Sequence, residues 1–427
     1  MMKSAGRIAA ALLAVLALAW SAAALELRGH VLGLSIEHGF VIIDLGANAS
    51  VRAGDMIEVL DAGQRVVARA RVFKVYPELS ECNTTEVLLP RALQEAEQLQ
   101  EQNDHRTGLL AVRRDGTAGA PPATPPTVPA APPAANRPPQ LAANAFVATL
   151  VRTLALPGII EHPVAVTVGA DKKIYFTDTR HHALMAWHDE RNSASPLPTG
   201  TMAVPGSGIY FGRGQGQFIC PSALASDTAG QLYVVDTLNH RLQVIDRSGR
   251  VRRVTGELNT RNGQFINPFE MAVNPLTGTT FVADTKNNRV QQFSNTNTYV
   301  KTIVPADGFR RPAGLVFTNR QLFVVDGGRA RVVIFDIDGN PLASFGEGVM
   351  VAPRGLATDG RGLLYVADPG AGRVLIYNLG GVLQGSISGA ELSQPFGVAC
   401  SPDGSLVVAD PATNALLVYR VARRGTR

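Results

Sequence analysis

Short apolar runs recur from residue 163 onward, each ending on an aspartate: IYFTD, LYVVD, TFVAD, LFVVD, LYVAD and LVVAD. Runs of this length, rich in Val, Tyr and Phe and bounded by Gly, Asn and Asp, predict β-strands rather than helices. Upstream of each run a proline opens a second apolar stretch, at Pro163, Pro221, Pro268, Pro312, Pro353 and Pro395. The matching aspartates are Asp178, Asp236, Asp284, Asp326, Asp368 and Asp410, at offsets of 15, 15, 16, 14, 15 and 15 residues. Such even offsets mean one small unit used six times. Proline has no N–H to donate and suits a strand entry, so strand A starts there. It turns at Asp171, Asn274-Pro275, Asp359-Gly360 or Asp403-Gly404 into strand B, the run that ends on Asp. Strand C follows, and a Gly turn such as Ser248-Gly249 or Asp338-Gly339 leads to an outer strand D. Four short strands per repeat are the blade of a β-propeller.

The earlier part of the chain carries a different pattern. Residues 31–60 hold apolar stretches broken by Gly46 and Gly54-Asp55, and residues 65–76 (RVVARARVFKVY) alternate apolar and polar positions. This is the signature of half-buried strands joined by glycine turns, and predicts a small barrel over residues 25–113 with a Glu/Gln-rich helix at 91–103. Residues 114–142 include APPATPPTVPAAPPAANRPP. Proline without a period cannot bury a core and extends toward polyproline II, so this is a semi-rigid linker. At the start, Lys3 and Arg7 precede the apolar residues 8–20 and then Ser21-Ala22-Ala23-Ala24. That order reads as a secretory signal peptide over residues 1–24, and the apolar run is too short to span a bilayer. The expectation from the leader is a periplasmic or secreted protein with no membrane span.

Within the repeats, DTLNHRLQVI and DTKNNRVQQF follow the Pro-initiated strands, and all six units carry the Asp. These residues resemble the NHL repeat, with its Pro-x-Gly-(Ile/Val)-Ala, Tyr-Val-(Ala/Val)-Asp and Asn-x-Arg-(Val/Leu)-Gln segments. The resemblance covers residues 145–423, about two-thirds of the chain, and implies an all-β fold: a six-bladed NHL-type β-propeller. The stretch VIIDLGANASVRAGDMIEVL is similar to the SH3-like barrels of exported bacterial envelope proteins. The last unit has no strand D of its own after residues 416–421. Residues 146–156 (FVATLVRTLAL) have strand D character and are expected to complete blade six. A closed ring leaves no sheet edge open there.

Composition narrows the chemistry. The formal charge is +5 on 427 residues, with only 3 cysteines and no CxxC pair. Residues 25–112 carry 8 Lys/Arg against 13 Asp/Glu, whereas residues 145–427 carry 27 against 21, so the propeller holds the positive charge. The Lys/Arg runs are too short for a nucleic-acid footprint, which leaves a protein or an anionic envelope polymer as the expected partner. The six aspartates are expected to fix turns by accepting backbone N–H bonds, and none is assigned as catalytic. In a propeller, loops entering strand A and loops between strands B and C share one end. There the chain places His162, Arg180, His181, His182, His240, Lys286, Arg310, Arg311, Arg329 and Arg354, and a longer first repeat brings Tyr210 and Phe211. This set is the candidate binding rim. Some NHL-like propellers are metal-dependent lyases with histidines directly after the strand-A prolines. Here those positions are Val164, Ser222, Phe269, Ala313, Arg354 and Phe396. One residue further on stand Ala165, Ala223, Glu270, Gly314, Gly355 and Gly397, so Glu270 alone, with Asn267 nearby, is a candidate channel ligand. One carboxylate does not make a metal site. No P-loop, dinucleotide fingerprint or Gly-x-Ser-x-Gly elbow occurs, and no cofactor is expected. The expected function is a non-enzymatic binding scaffold, with a metal-dependent hydrolase or lyase at the channel as the alternative.

Overall fold

The computed structural model describes residues 27–35, 40–43, 51–52, 55–60, 65–75, 80–88, 110–113, 145–197 and 212–424. The leader, the helix expected at 91–103, the linker at 114–142, and Tyr210 and Phe211 lie outside the described residues. The chain divides into two units, Met1–Ala130 and Ala131–Arg427.

The first unit contains β1 (Leu27–Ser35), β2 (Phe40–Ile43), β3 (Met56–Leu60), β4 (Val66–Val75), β5 (Ser80–Val87) and β6 (Leu110–Arg113). They pair in the order β1-β2-β5-β4-β3-β6, and β6 returns to β1 to close the ring. The alternation legible in β4 has its physical cause here: Ala68, Ala70 and Val72 are buried while Arg69 faces solvent.

The second unit holds six four-stranded antiparallel sheets. Blade two shows the plan with strand A at Pro221–Ser226, strand B at Leu232–Asp236, strand C at Arg241–Ile245 and strand D at Val251–Thr255. Strand B is buried along its whole length and strand D is only half covered, so hydrophobicity falls from the inner strands to the rim. That gradient explains why strand B is an unbroken apolar run while strand D reads as alternating.

Blade six is composite. Its own strands Gly397–Cys400, Ser405–Asp410 and Ala415–Arg423 are completed by Phe146–Leu154. The register runs from Leu416 opposite Leu154 to Arg423 opposite Phe146. The closing strand expected at 146–156 therefore takes the outer place in blade six. Behind it, Leu154, Val407, Ala409 and Leu416 pack with Phe176, Met185 and Trp187 of blade one, which seals the seam with apolar contacts.

Candidate functional site

The six aspartates end strand B in every blade and are fully buried. A buried carboxylate must find donors or pay a large desolvation penalty. Each finds them in the loop entering strand A of its own blade: Glu161 N–H donates to Asp178, Ile219 to Asp236, Ile266 to Asp284, Arg310 to Asp326, Ala352 to Asp368 and Ser393 to Asp410, at 2.7–2.8 Å. In blades one and six the same carboxylate also caps the B–C turn, accepting from Arg180 and His181 or from Ala412 and Thr413. Burial pushes the carboxyls of Asp236 and Asp284 upward, against the pull of the donors around them.

The arginine five residues on returns to its own aspartate. Arg241 Nε lies 2.8 Å from Asp236 and Arg289 Nε 2.7 Å from Asp284. Arg331 lies 3.2 Å from Asp326, and Arg373 3.5 Å from Asp368. Their other nitrogens donate to carbonyls of the incoming loop, such as Gln217 O and Gln264 O. Blade one has Ala183 at this position, and His181 Nδ1 reaches Asp178 at 2.9 Å instead. In blade four Arg329 binds Asp326 at 2.9 Å and the carbonyl of Gly308. His181 and Arg329, both expected on the rim, thus hold turns together.

A second device joins neighbouring blades. Each B–C turn ends on a residue in the left-handed region, among them His182 (φ 49), His240 (φ 52), Asn288 (φ 51) and Asn414 (φ 52). Those four side chains accept the N–H of the residue just before the next strand-A proline. Cys220 N–H donates to His182 Nδ1 at 2.8 Å, and Asn267 to His240 Nδ1 at 3.0 Å. Arg311 donates to Asn288 Oδ1 and His162 to Asn414 Oδ1, both at 2.8 Å. The four donor residues themselves have positive φ. At the other two junctions the turn ends on Ala330 or Gly372, which offer no acceptor, and the following Ala352 and Gln394 show no positive φ. The clamp and the strained backbone thus occur together.

This corrects the rim. His182 and His240 are 2% and 0% exposed and act as hydrogen-bond acceptors between blades, so neither faces a partner. The sequence shows a histidine in a polar loop; it does not show that the loop turns the ring inward. His162 is half-buried, with Nδ1 2.8 Å from Thr179 Oγ1. Arg180 and Lys286 are half-buried, and Arg310 and Arg311 are exposed.

At the centre of this end three residues meet. The Phe269 and Phe396 rings have centroids 5.8 Å apart, and the Arg354 guanidinium sits 5.7 Å from both. Blades three and six face each other across the ring, so this contact lies over the axis and plugs the channel. A guanidinium held against two aromatic faces is favourable by cation–π attraction. Small residues beneath let the strands converge: a Cβ on Gly355 would stand 2.5 Å from Phe396 O, and one on Gly397 2.4 Å from Val164 O.

Below the plug runs a cavity of about 200 Å³, lined by strand A of all six blades from Ala165 and Glu270 at one end to Val168, Ser226, Phe317, Thr358 and Cys400 at the other. Glu270 stands at the plugged end. It lines the cavity and is partly exposed; Oε1 accepts Met271 N–H at 3.0 Å, and burial pushes its carboxyl up to about 8. Burial likewise pushes the Cys400 thiol up to about 12. Asn267, noted in the sequence as lying near Glu270, has its backbone engaged in the clamp with His240. Among the described residues no three His, Cys, Asp or Glu side chains gather to hold a metal.

The NHL repeat model matches residues 218–245, the segment that contains strands A to C of blade two. The ring is a six-bladed propeller, and the match to the NHL repeat lies in its second blade. Over 138 residues the chain is 33% identical to the protein named brain tumor of Drosophila melanogaster, covering 32% of this chain and 13% of that protein. It is 31% identical over 137 residues to the B-box type zinc finger protein ncl-1 of Caenorhabditis elegans, covering 32% and 16%. The chain thus spans less than a fifth of the length of these relatives. Among solved structures, a gluconolactonase from Xanthomonas campestris superposes with a TM-score of 0.50 at 14% identity, covering 63% of this chain and 89% of that one. That likeness shows the fold. The relatives correct the expected periplasmic or secreted location: both are animal proteins, and export rested on Lys3 and Arg7, the apolar run after them and Ser21-Ala22-Ala23-Ala24, all outside the described residues. Nothing in the propeller's charge or packing carries a location. Among the described residues no helix is long and apolar enough to cross a membrane.

Proposed function

We propose that the NHL propeller is a protein-binding scaffold whose docking face is the plugged end of the ring. The observation that supports this most is the Phe269–Arg354–Phe396 plug, because it turns the channel mouth into a continuous surface. A surface of this kind suits a macromolecule better than a small substrate. Around it stand Arg310 and Arg311, exposed, with His162, Arg180 and Lys286 half-buried. Cationic groups on a rim speed and orient encounter with an acidic partner surface. In this proposal the N-terminal strands form an SH3-like module and residues 114–142 tether it, setting the effective concentration between the two units. The alternative, a metal-dependent hydrolase or lyase in the channel, would have to draw its ligands from a lining whose one carboxylate is Glu270.

The test is photocrosslinking from position 311 of the full chain, followed by affinity measurement with the protein recovered. Reversing charge in R310E/R311E is expected to weaken that complex tenfold or more. Reversing the exposed Lys172 and Lys173 at the opposite end should leave it unchanged. Equal effects at both ends would remove the docking face.

A further inference from the structure

We infer that a cavity between blades six and one binds a small phenol, its ring standing where the other five blades carry an aromatic side chain and its hydroxyl donating to Asp403. The site lies at the end of the wheel opposite the proposed docking face and does not rest on that reading.

The space comes from one residue. The third position before the strand-B aspartate is aromatic in five blades: Tyr175, Tyr233, Phe281, Phe323 and Tyr365. These rings fill the wedge between one blade and the next. Tyr233 packs with Met271, Val282 and Phe293 of blade three, Phe281 with Leu315 and Leu322 of blade four, and Tyr365 with Val398 and Leu406 of blade six. Blade six has Val407 at this position. Facing blade one, it leaves a cavity of about 410 Å³ that is floored by Val407, Val418 and Ile174. An apolar cavity of about 150 Å³ already holds benzene, so a substituted ring fits here.

The turn between strands A and B sets the polar end. In blade one Asp171 stands four residues before Tyr175. Its Oδ1 accepts Lys173 N–H at 3.2 Å, and its Oδ2 accepts the Tyr175 hydroxyl at 2.8 Å. Blade six repeats this turn: Asp403 stands four residues before Val407, and its Oδ1 accepts Ser405 N–H at 2.9 Å. Asp403 lines the cavity, so the carboxylate that receives a ring hydroxyl in blade one has its counterpart here beside a valine. A hydroxyl donating to a carboxylate makes a charge-assisted bond, stronger than a neutral one. The other charged groups around the cavity balance. Arg152 lies 2.6 Å from Asp189, and Lys172 shares the lining with Asp403. The cavity therefore suits a neutral ligand with one donor, and an apolar pocket with few polar groups orients its ligand through them. Arg152 lies on the closing strand of blade six and Asp189 in blade one, so a bound phenol touches both sides of the seam.

The probe is p-cresol, titrated calorimetrically into the full chain. Expected are one site per chain and a melting temperature that rises with cresol concentration, because only the closed wheel offers the site. Toluene, which has the ring without the hydroxyl, should bind about fivefold more weakly or worse. Asp403→Asn keeps an oxygen for Ser405 N–H but loses the charge, and should weaken cresol binding by about the same factor. Val407→Phe gives blade six the ring that blades three and four carry; it should melt higher than the natural chain, since it fills a cavity, and bind no cresol. Nα-acetyltyrosine amide separates the two sources of this chemistry: tighter binding than cresol would place the ring on a protein side chain, weaker binding on a free phenol. Equal affinity of toluene, undiminished binding by Asp403→Asn or Val407→Phe, or cresol giving neither saturable heat nor a melting shift would overturn the site.

Discussion

Glu270 shows how one residue sets a chemical property of the whole channel. Five of the six equivalent positions are Ala or Gly, because strand A passes the next blade's backbone within a Cβ's reach. A carboxyl there is surrounded by protein, and burial lifts it from 4.5 to about 8. Below pH 4.5 it is protonated in both the folded and unfolded chain and carries no penalty. Between 4.5 and 8 the unfolded chain gives up the proton while the folded one keeps it, so stability falls as pH rises. Glu270→Gln removes that dependence. The urea-unfolding free energy of the variant should gain on the natural chain by a few kcal/mol from pH 5 to pH 8. Parallel curves would mean that the carboxyl is solvated. The sequence marked Glu270 as the exception among small residues; its protonation follows from the closed mouth above it, which no local pattern reveals.

Between elements, the left-handed residue that ends each B–C turn decides how two blades join. His240 accepts Asn267 N–H, the same task that Asn288 and Asn414 perform elsewhere. Truncation in His240→Ala strands a buried N–H and should cost about 1–3 kcal/mol, whereas His240→Asn should recover at least half, since Asn also favours this conformation. Thermal melts of the two variants distinguish a clamp from simple packing: equal losses would mean that the imidazole only fills space. The outer strand of blade six is the other junction that matters. Deleting Phe146–Leu154 leaves Ala415–Arg423 without its outer partner and exposes the apolar seam against Trp187. The prediction is loss of a single cooperative transition, read by calorimetry; an unchanged melt would mean that the ring closes by other contacts.

At the scale of the molecule, the fold was legible because it repeats. Evenly spaced aspartates fix where strand B ends in all six blades, and the prolines open strand A in blades one to four, whereas in blades five and six it starts later, at Leu356 and Gly397; the donor groups around each buried carboxylate explain the spacing. The binding face was less legible, for a geometric reason. His181, His182, His240 and Arg329 look like a polar rim when read along the chain, yet ring geometry turns them onto aspartates or into the next blade. Phe269, Arg354 and Phe396 were visible as the residues following three prolines, but only closure across the axis brings their side chains into contact. Closure also has a consequence in time. His162 and Asn414, joined across the seam, are 252 positions apart, and the strand that receives Phe146–Leu154 runs to Arg423. While a ribosome is making this protein, the first strand of the wheel must therefore wait, unpaired, until nearly all the rest of the wheel has emerged. Nascent chains stalled just short of residue 415 should be held by chaperones, and those released past residue 423 should not.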